Sequence, residues 1–496
     1  MFVDGYPYFE VSNRPFKLYD TLSRTVKPIE TVTPGVLKFY SCGPTVYSFA
    51  HIGNFRTFLC ADLVVRTATA LGWQVMYVSN ITDVGHLTQD DVADAAGEDK
   101  MEKALKSKEG ANFQNVWDLA RYYGDAFEED WARLYLNEPT VRPRATEHMR
   151  EQIIAVQDLI EKGHAYVTDT GVYFRLSSFP EHGKLSGNRD KDQLQVAVRD
   201  VVVDDNKEHP GDFALWKKDD KHLMQWFSPW GWGFPGWHIE CSAMAMKYLG
   251  STIDLHAGGE DLVFPHHESE IAQSECLTGK AFSNHWMHVR FLLVNGEKMS
   301  KSKGNYYTVR DLIEGRGADP TALRYSLIAV PYGKPLNFTL QGLDDAKKNV
   351  DRIQECRRLV EETEYPSGED HVSEELERIY DECLGAMCED LNTSVALAKA
   401  LEGTAVLFRK SAEMTAEDAS AGKAFLDKID ALLGIAPKLQ KEEGGSVEAE
   451  LQADIELRIQ LKKDKKFAEA DEIRLKWEAK GYELRDTPTG TVWRKQ

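Results

Sequence analysis

"LKFYSCG" (residues 37–43), "TFLCADLVVRTATALG" (57–72) and "WQVMYVSNIT" (73–82) follow one another almost without interruption, and their reading decides the fold. The first and third are short apolar runs, as expected of strands buried on both faces. The middle one keeps helical spacing and stops at Gly72. Strand, helix, strand at this spacing predicts a βαβ unit, and therefore a parallel sheet with a right-handed crossover. Ligands of such sheets bind beyond the carboxyl ends of the strands. That rule puts "CGPTVYSFAHIGN" (42–54) and "NITD" (80–83) at the functional edge. The expected class is α/β, with a Rossmann-like parallel sheet.

Outward from this unit the chain changes character. From about residue 84 it turns polar, as in "DDVADAAGEDKMEKALKSKEG" (90–110) and the turn-rich "PEHGKLSGNRDKD" (180–192). Sheet-like segments resume at "TIDLHAGGEDLVF" (252–264). "VRFLLVNGEKMSKSKGN" (289–305) reads as a hairpin turning at Asn295-Gly296, followed by a lysine-rich loop. Past about 340 the pattern is helical, and "KLQKEEGGSVEAE" (438–450) is a linker. The expected domains are 1–110 (first half of the sheet domain), 111–210 (a connective insertion) and 211–335 (second half, with the lysine-rich loop). A helical bundle at 336–437 and a small C-terminal domain at 450–496 complete the chain.

At 496 residues the chain exceeds what one core can organise. It is 42% hydrophobic and 28% charged, with no apolar run long enough to span a bilayer and no basic, apolar leader at its start. Seven scattered cysteines form no disulfide framework, so a cytoplasmic setting is expected. A net charge of −20 excludes a protein coated for indiscriminate nucleic-acid binding. The tail departs from this: between Leu461 and Gln496 ten Lys or Arg face seven Asp or Glu.

Three stretches can carry chemistry. In "FPHHESE" (264–270) a helix would put His266 and Glu270 at i and i+4 on one face, with His267 and Glu268 pointing elsewhere. Such a pair can be half of a metal site, a general-base pair or a surface salt bridge. Cys42 and Cys241 belong to the same sheet domain, and a Cys, Cys, His, Glu set suits zinc. "HIGN" (51–54) opens a helix whose amides and dipole attract phosphate, with His51 as a donor. "KMSKS" (298–302) offers compact cations of the kind a triphosphate requires, though an isolated lysine-rich run is more often a solvated loop.

An early "HIGN" and a late "KMSKS" together resemble the two signatures of the class I aminoacyl-tRNA synthetases. "CGPTVY", "NITD", "PGWHIECSAM", "GGEDLVFPHHESEIAQ" and "EKMSKSKGN" narrow the resemblance to the cysteinyl-tRNA synthetase family. The likeness runs from "LYDTLSR" (18–24) to "YELRDTPTGTVWR" (482–494). It implies activation of L-cysteine by ATP, with magnesium, and transfer to tRNA(Cys). It also implies one zinc per chain on Cys42, Cys241, His266 and Glu270, which binds the substrate thiolate and so rejects serine. By position, His51, Asn54, Lys298 and Lys301 match the catalytic and ATP-contacting residues, and Asp261 matches a residue near the nucleotide. Thr82 and Trp237 match the lining of the cysteine pocket. In "KKFAEADEIR" (465–474), Phe467 matches a residue that stacks on an anticodon base and Asp471 one that accepts its hydrogen bonds. Asn54 departs from the wider class, where many members carry a second histidine. A monomer without membrane contact is expected. The competing readings are a ligase joining cysteine to an amino sugar, which needs no anticodon-reading end, and a non-catalytic RNA-binding relative, which needs neither signature loop.

Overall fold

The computed structural model describes residues 12–85, 87–89, 96–187, 206–300, 303–439, 447–463, 466–487 and 490–495. The chain divides into two compact units, Met1–Pro437 and Lys438–Gln496.

The first unit is built on the expected βαβ element. Strand β1 (Val36–Ser41) leads to helix α1 (Ile52–Ala70) and returns as β2 (Gln74–Ser79), parallel to β1 with Tyr40 opposite Val78. Helix α1 is apolar on nearly every side because it is packed on several. Phe55, Phe58, Leu59 and Leu63 are all buried, and the chain leaves the helix through Gly72 at φ 80°. After the insertion come helix α2 (Trp237–Leu249), β3 (Leu255–Gly259), helix α3 (Glu268–Thr278) and β4 (Trp286–Val289). The four parallel strands stand in the order β4-β3-β1-β2. Successive connections therefore leave β1 on opposite sides, to β2 and later to β3, and the crevice at such a switch point is where ligands bind. Asn295 (φ 51°) and Gly296 (φ 81°) make the expected hairpin turn between Leu292–Val294 and Glu297–Lys298.

The insertion carries a five-stranded antiparallel sheet whose strands Phe213–Lys218 and Gly231–Pro235 lie past residue 210, where the sequence reading closed it. Val172 faces Trp216, and Pro235 faces Trp216 from the other side. The first of these pairings spans some forty residues of polar chain, so local pattern does not reveal it. Helices Leu340–Glu362, Ser373–Cys388, Thr393–Lys410 and Ala416–Leu433 form the bundle.

A buried ionic knot joins sheet domain and bundle. Asp62 of α1 accepts from Arg324 at 2.5 Å, from Arg66 at 2.7 Å and from the Asn137 amide at 2.8 Å. Arg324 in turn donates to the carbonyls of Leu433 and Leu134. Burial alone would raise the Asp62 carboxyl, but Arg324 and Arg66 outweigh it and hold it below its ordinary value. Both Asp62 and Arg324 are fully buried. Asp62→Ala leaves a guanidinium in the core with only carbonyl partners, and should cost about 3–5 kcal/mol of stability in urea unfolding. A loss below about 1 kcal/mol would mean that the carbonyls alone satisfy Arg324.

The second unit packs helices Val447–Lys463 and Phe467–Ala479 on a hairpin, Tyr482–Thr487 with Gly490–Lys495. Its own small core holds Leu451, Ile455, Trp477, Tyr482 and Leu484, and the Trp477 indole donates to Asp454 at 2.8 Å. No helix among the described residues is long and apolar enough to cross a membrane.

Candidate active site and metal-binding cluster

The ends of β1 and β3 and the start of α1 enclose a cleft of about 240 Å³, lined by residues that include Cys42, His51, Asn54, Trp237, Gly259 and Asp261. Its floor depends on a close approach of two backbones. A Cβ on Gly43 would lie 1.6 Å from the Asn80 carbonyl oxygen, so only glycine lets the chain turn from β1 into the cleft wall. The Gly43 amide donates to Asn80 Oδ1 at 2.9 Å, which pins the "NITD" turn to the end of β1.

His51 and Asn54 cap α1 reciprocally. His51 Nδ1 accepts from the Asn54 amide at 3.1 Å, and Asn54 Oδ1 accepts from the His51 amide at 3.1 Å. In a neutral ring this arrangement places the proton on Nε2, so His51 can donate. Asn54 spends its oxygen on the cap, and its Nδ2 amide is the group able to meet an anion. Met299 of the lysine-rich loop reaches the same spot, since a Cβ on Gly53 would lie 2.9 Å from both Met299 Cε and His51 Cε1. The two signature segments, some 250 residues apart in sequence, are neighbours in space. Lys298 is not brought into the cleft: it is exposed, with Nζ 5.6 Å from the centre of the Phe291 ring. Lys301 lies outside the described residues.

Cys42, Cys241, His266 and Glu270 come together as one buried group whose donor atoms all lie within 4.8 Å of one another. Cys42 Sγ is 3.9 Å from Cys241 Sγ and 3.6 Å from Glu270 Oε1, and His266 Nε2 is 2.9 Å from the same carboxylate oxygen. The expected i, i+4 pairing of His266 with Glu270 is therefore present. The expectation that His267 and Glu268 point elsewhere fails for His267. Its Nε2 is 3.3 Å from Cys42 Sγ, because His267 stands at i, i+3 to Glu270 on continuous helical backbone and so shares its face; the one non-helical residue, Phe264, precedes both histidines. Glu268 does turn away, and its carboxylate receives the amides of Gly183 and Ser186, each at 2.8 Å.

His267 belongs to a second donor group, with Cys42, His256 and Glu270, that overlaps the first. Two features favour the first as the metal position. It supplies two sulfurs, and the cleft-lining Trp237 sits 4.3 Å, ring to ring, from His266. His256 and His267 lie deeper and are fully buried. His256 donates to Glu270 Oε2 at 2.9 Å, and His267 Nδ1 meets His288 Nε2 at 2.8 Å. Partners of this kind orient ligands rather than replace them.

The charges suit a cation. Burial would raise Glu270, but His256 and His266 outweigh it and hold the carboxyl down at about 2. Burial would lower His266, but Glu270 and Cys241 outweigh it and push the imidazole up to about 10. His266 is thus a buried proton held by a carboxylate and a sulfur, in the place a metal would take. Burial, with Cys241 beside it, pushes the Cys42 thiol well up. Two thiols, an imidazole and a carboxylate at this spacing fit zinc.

The remaining sequence-predicted residues fall as follows. Asp261 lines the cleft opposite α1. Thr82 is buried beneath it, its hydroxyl donating to Glu240 at 3.1 Å and accepting from Asn80 at 3.2 Å. Asp471 is exposed on the helix Phe467–Ala479 of the second unit, and the Phe467 side chain lies outside the described residues. Sequence reasoning missed Tyr47, Lys100 and Tyr306 of the cleft wall. It also missed His256 and His288, which stand in the neighbouring strands "LHAGG" and "WMHV" and meet Glu270 and His267.

Residues 28–348 match the family model described as the class I (C) tRNA synthetase catalytic domain. A cysteine–tRNA ligase of Salinibacter ruber is 51% identical, over 97% of this chain and 98% of that one. Another of Solibacter usitatus is 41% identical over 97% and 99%. Among solved structures, Mycobacterium tuberculosis methionyl-tRNA synthetase in complex with methionyl-adenylate superposes with a TM-score of 0.56. It covers 80% of this chain and 90% of its own at 14% identity, a likeness of fold alone.

Proposed function

Because the chain belongs to the cysteine–tRNA ligases, within the class I aminoacyl-tRNA synthetases, we propose a specific division of labour among its residues in joining L-cysteine to tRNA(Cys). The observation that carries this reading is the Cys42, Cys241, His266 and Glu270 group standing at the wall of a cleft that the capped start of α1 also lines.

In the first step the cysteine carboxylate attacks the α-phosphorus of ATP, which enters with magnesium, and pyrophosphate leaves. His51 through Nε2–H and Asn54 through its amide donate to the phosphate oxygens, aided by the positive end of α1. Asp261 faces the nucleoside. Lys298 and Lys301 neutralise the departing pyrophosphate, with Met299 near Gly53 at the cleft. No side chain acts as a nucleophile; positioning and charge do the work. In the second step the terminal ribose of the tRNA takes the aminoacyl group and AMP leaves.

Cys42, Cys241, His266 and Glu270 would hold one zinc, with His256 orienting Glu270 and His238, 2.9 Å from His266 Nδ1, orienting His266. When bound, the metal supplies a soft Lewis acid that favours a thiolate over a serine hydroxyl, where a shape-based pocket would discriminate only about 10–200-fold. Trp237 and Thr82 flank the cysteine. Phe467 and Asp471 read the anticodon from the second unit.

Cysteine-dependent exchange of pyrophosphate into ATP, followed by charging of tRNA, tests the reading. Exchange driven equally by serine, or charging without cysteine dependence, would overturn it. Lys301→Ala should slow exchange by about 10²-fold while changing the cysteine KM little, since its charge is required at the phosphates. An unaltered exchange rate would remove the loop from the mechanism.

A further inference from the structure

The lysine-rich loop runs into helix Val309–Arg316, and Arg310 in the first turn of that helix fastens it to helix Val116–Arg133. Arg310 Nη2 donates to the Ala126 carbonyl at 3.0 Å and to Glu129 at 2.5 Å, and its Nε stands 3.3 Å from Asp130 Oδ1. The same guanidinium lies 5.3 Å from the centre of the Phe49 ring, in the wall of the reaction cleft. What the helix carries is the exit from the loop. Thr308 caps it, accepting from the Asp311 amide at 3.1 Å. Thr308 also pairs with His51 as an antiparallel bridge, and the Tyr307 carbonyl accepts from the Ile52 amide at 3.0 Å. Asn305 ties the loop to itself: its side-chain oxygen accepts from the Ser300 amide at 2.8 Å, and its Nδ2 donates to the Lys298 carbonyl at 3.3 Å. A chain of short contacts therefore runs from Arg310 to the α1 cap and to the base of the lysine-rich loop.

Stability is a weak reason for this ion pair. Asp130 is 1% exposed, and neither its Oδ2 nor Arg310 Nε has a hydrogen-bond partner among the described residues. A buried pair left half satisfied contributes little against its own desolvation. The charged groups facing Asp130 are Arg310 and Glu314 across the contact and Arg133 on its own helix, and Arg133 also pairs with Glu314 at 2.6 Å. We propose that Arg310 and Asp130 are positioning residues for the ATP step: together they fix where the lysine-rich loop ends against the His51 cap, and so the spacing between the loop and the start of α1. The inference rests on the ligase reading above and adds two residues outside the lining of the cleft. Burial pushes the Asp130 carboxyl up to about 6, against the pull of Arg310 and Arg133. The carboxylate, and the clamp with it, is thus present above that pH and lost below it.

The test uses the full-length enzyme and cysteine-dependent pyrophosphate exchange. Arg310→Lys keeps the charge but not the planar fork, and should lower kcat about tenfold while leaving the cysteine KM and the zinc content unchanged. Asp130→Asn keeps the shape and removes the charge. The ratio of wild-type to Asp130→Asn kcat should be about tenfold near pH 8 and fall to about one near pH 5, since the variant imitates the protonated acid throughout. Titration of His51 is common to both enzymes and cancels in this ratio. The double variant should be no slower than either single one, because each residue acts through the other. A ratio that stays flat across this range, additive effects in the double variant, or an unaltered kcat in Arg310→Lys would each overturn the proposal. So would a raised cysteine KM with loss of zinc, which would mark general damage to the fold. Absence of exchange in the wild type would sink the ligase reading itself, a result separate from all of these.

Discussion

Cys241→Ser should empty the metal site and lower kcat/KM for cysteine in pyrophosphate exchange by at least about 10³-fold, beyond the 10–100-fold that loss of an outer partner costs. The substitution replaces one atom at a fully buried position on α2, so the fold has little to repack. What changes is the donor: a hard, protonated oxygen replaces a soft sulfur that can lose its proton. In the parent, Cys241 is held below its ordinary value first by the hydrogen bond from Cys42, and His266 adds to this, so the sulfur is ready to release its proton to a metal. A serine hydroxyl has no such tendency. Elemental analysis should find about one zinc per parent chain and a small fraction of that in the variant. Full metal content together with unchanged cysteine affinity would exclude Cys241 as a ligand.

Ending the chain after Pro437 should leave cysteine activation intact and reduce charging of tRNA by about 10³-fold, the combined loss of a stacked base at 1–3 kcal/mol and several phosphate contacts. The position of the cut matters. Helical periodicity ends at Gly434 (φ 67°), yet Ile435 and Ala436 remain buried. The Ala436 carbonyl accepts from Arg357 at 2.7 Å and its amide donates to Asp430 at 2.9 Å. Cutting at Gly434 would strip two core residues and deprive a buried guanidinium of an acceptor, whereas cutting at Pro437 respects the boundary between the two units. Binding of tRNA by the shortened chain should also depend less steeply on salt. A shortened chain that charges tRNA at the full rate would show that the second unit does not read it. One that loses exchange as well would show that the unit supports the catalytic fold.

What could be read from the sequence was local. "LKFYSCG" and "WQVMYVSNIT" are strands because short apolar runs bounded by turns have few alternatives, and the helix between them makes the sheet parallel. The hairpin at Asn295-Gly296 follows from two residues that tolerate positive φ. His266 and Glu270 meet because four residues are one helical turn. Each of these inferences needs only residues within a turn or a strand of one another. His267 falls under the same reasoning, since residues at i and i+3 also share a helix face, and the i, i+4 rule alone passes it over.

What the tertiary structure decided was long-range. That Phe213–Lys218 closes the sheet of the insertion depends on pairing with Gly171–Phe174, and no local pattern encodes a partner. That Lys100 and Tyr306 face one cleft depends on the α1 cap lying between two distant segments. Cys42 and Cys241 each look like ordinary core residues in sequence. They become a candidate metal site because β1 ends where α2 passes, bringing two thiols within 3.9 Å of each other beside a buried carboxylate. Burial then sets the chemistry: the same side chains in water would carry ordinary charges, and only their common desolvation makes a single cation the favourable way to satisfy all four.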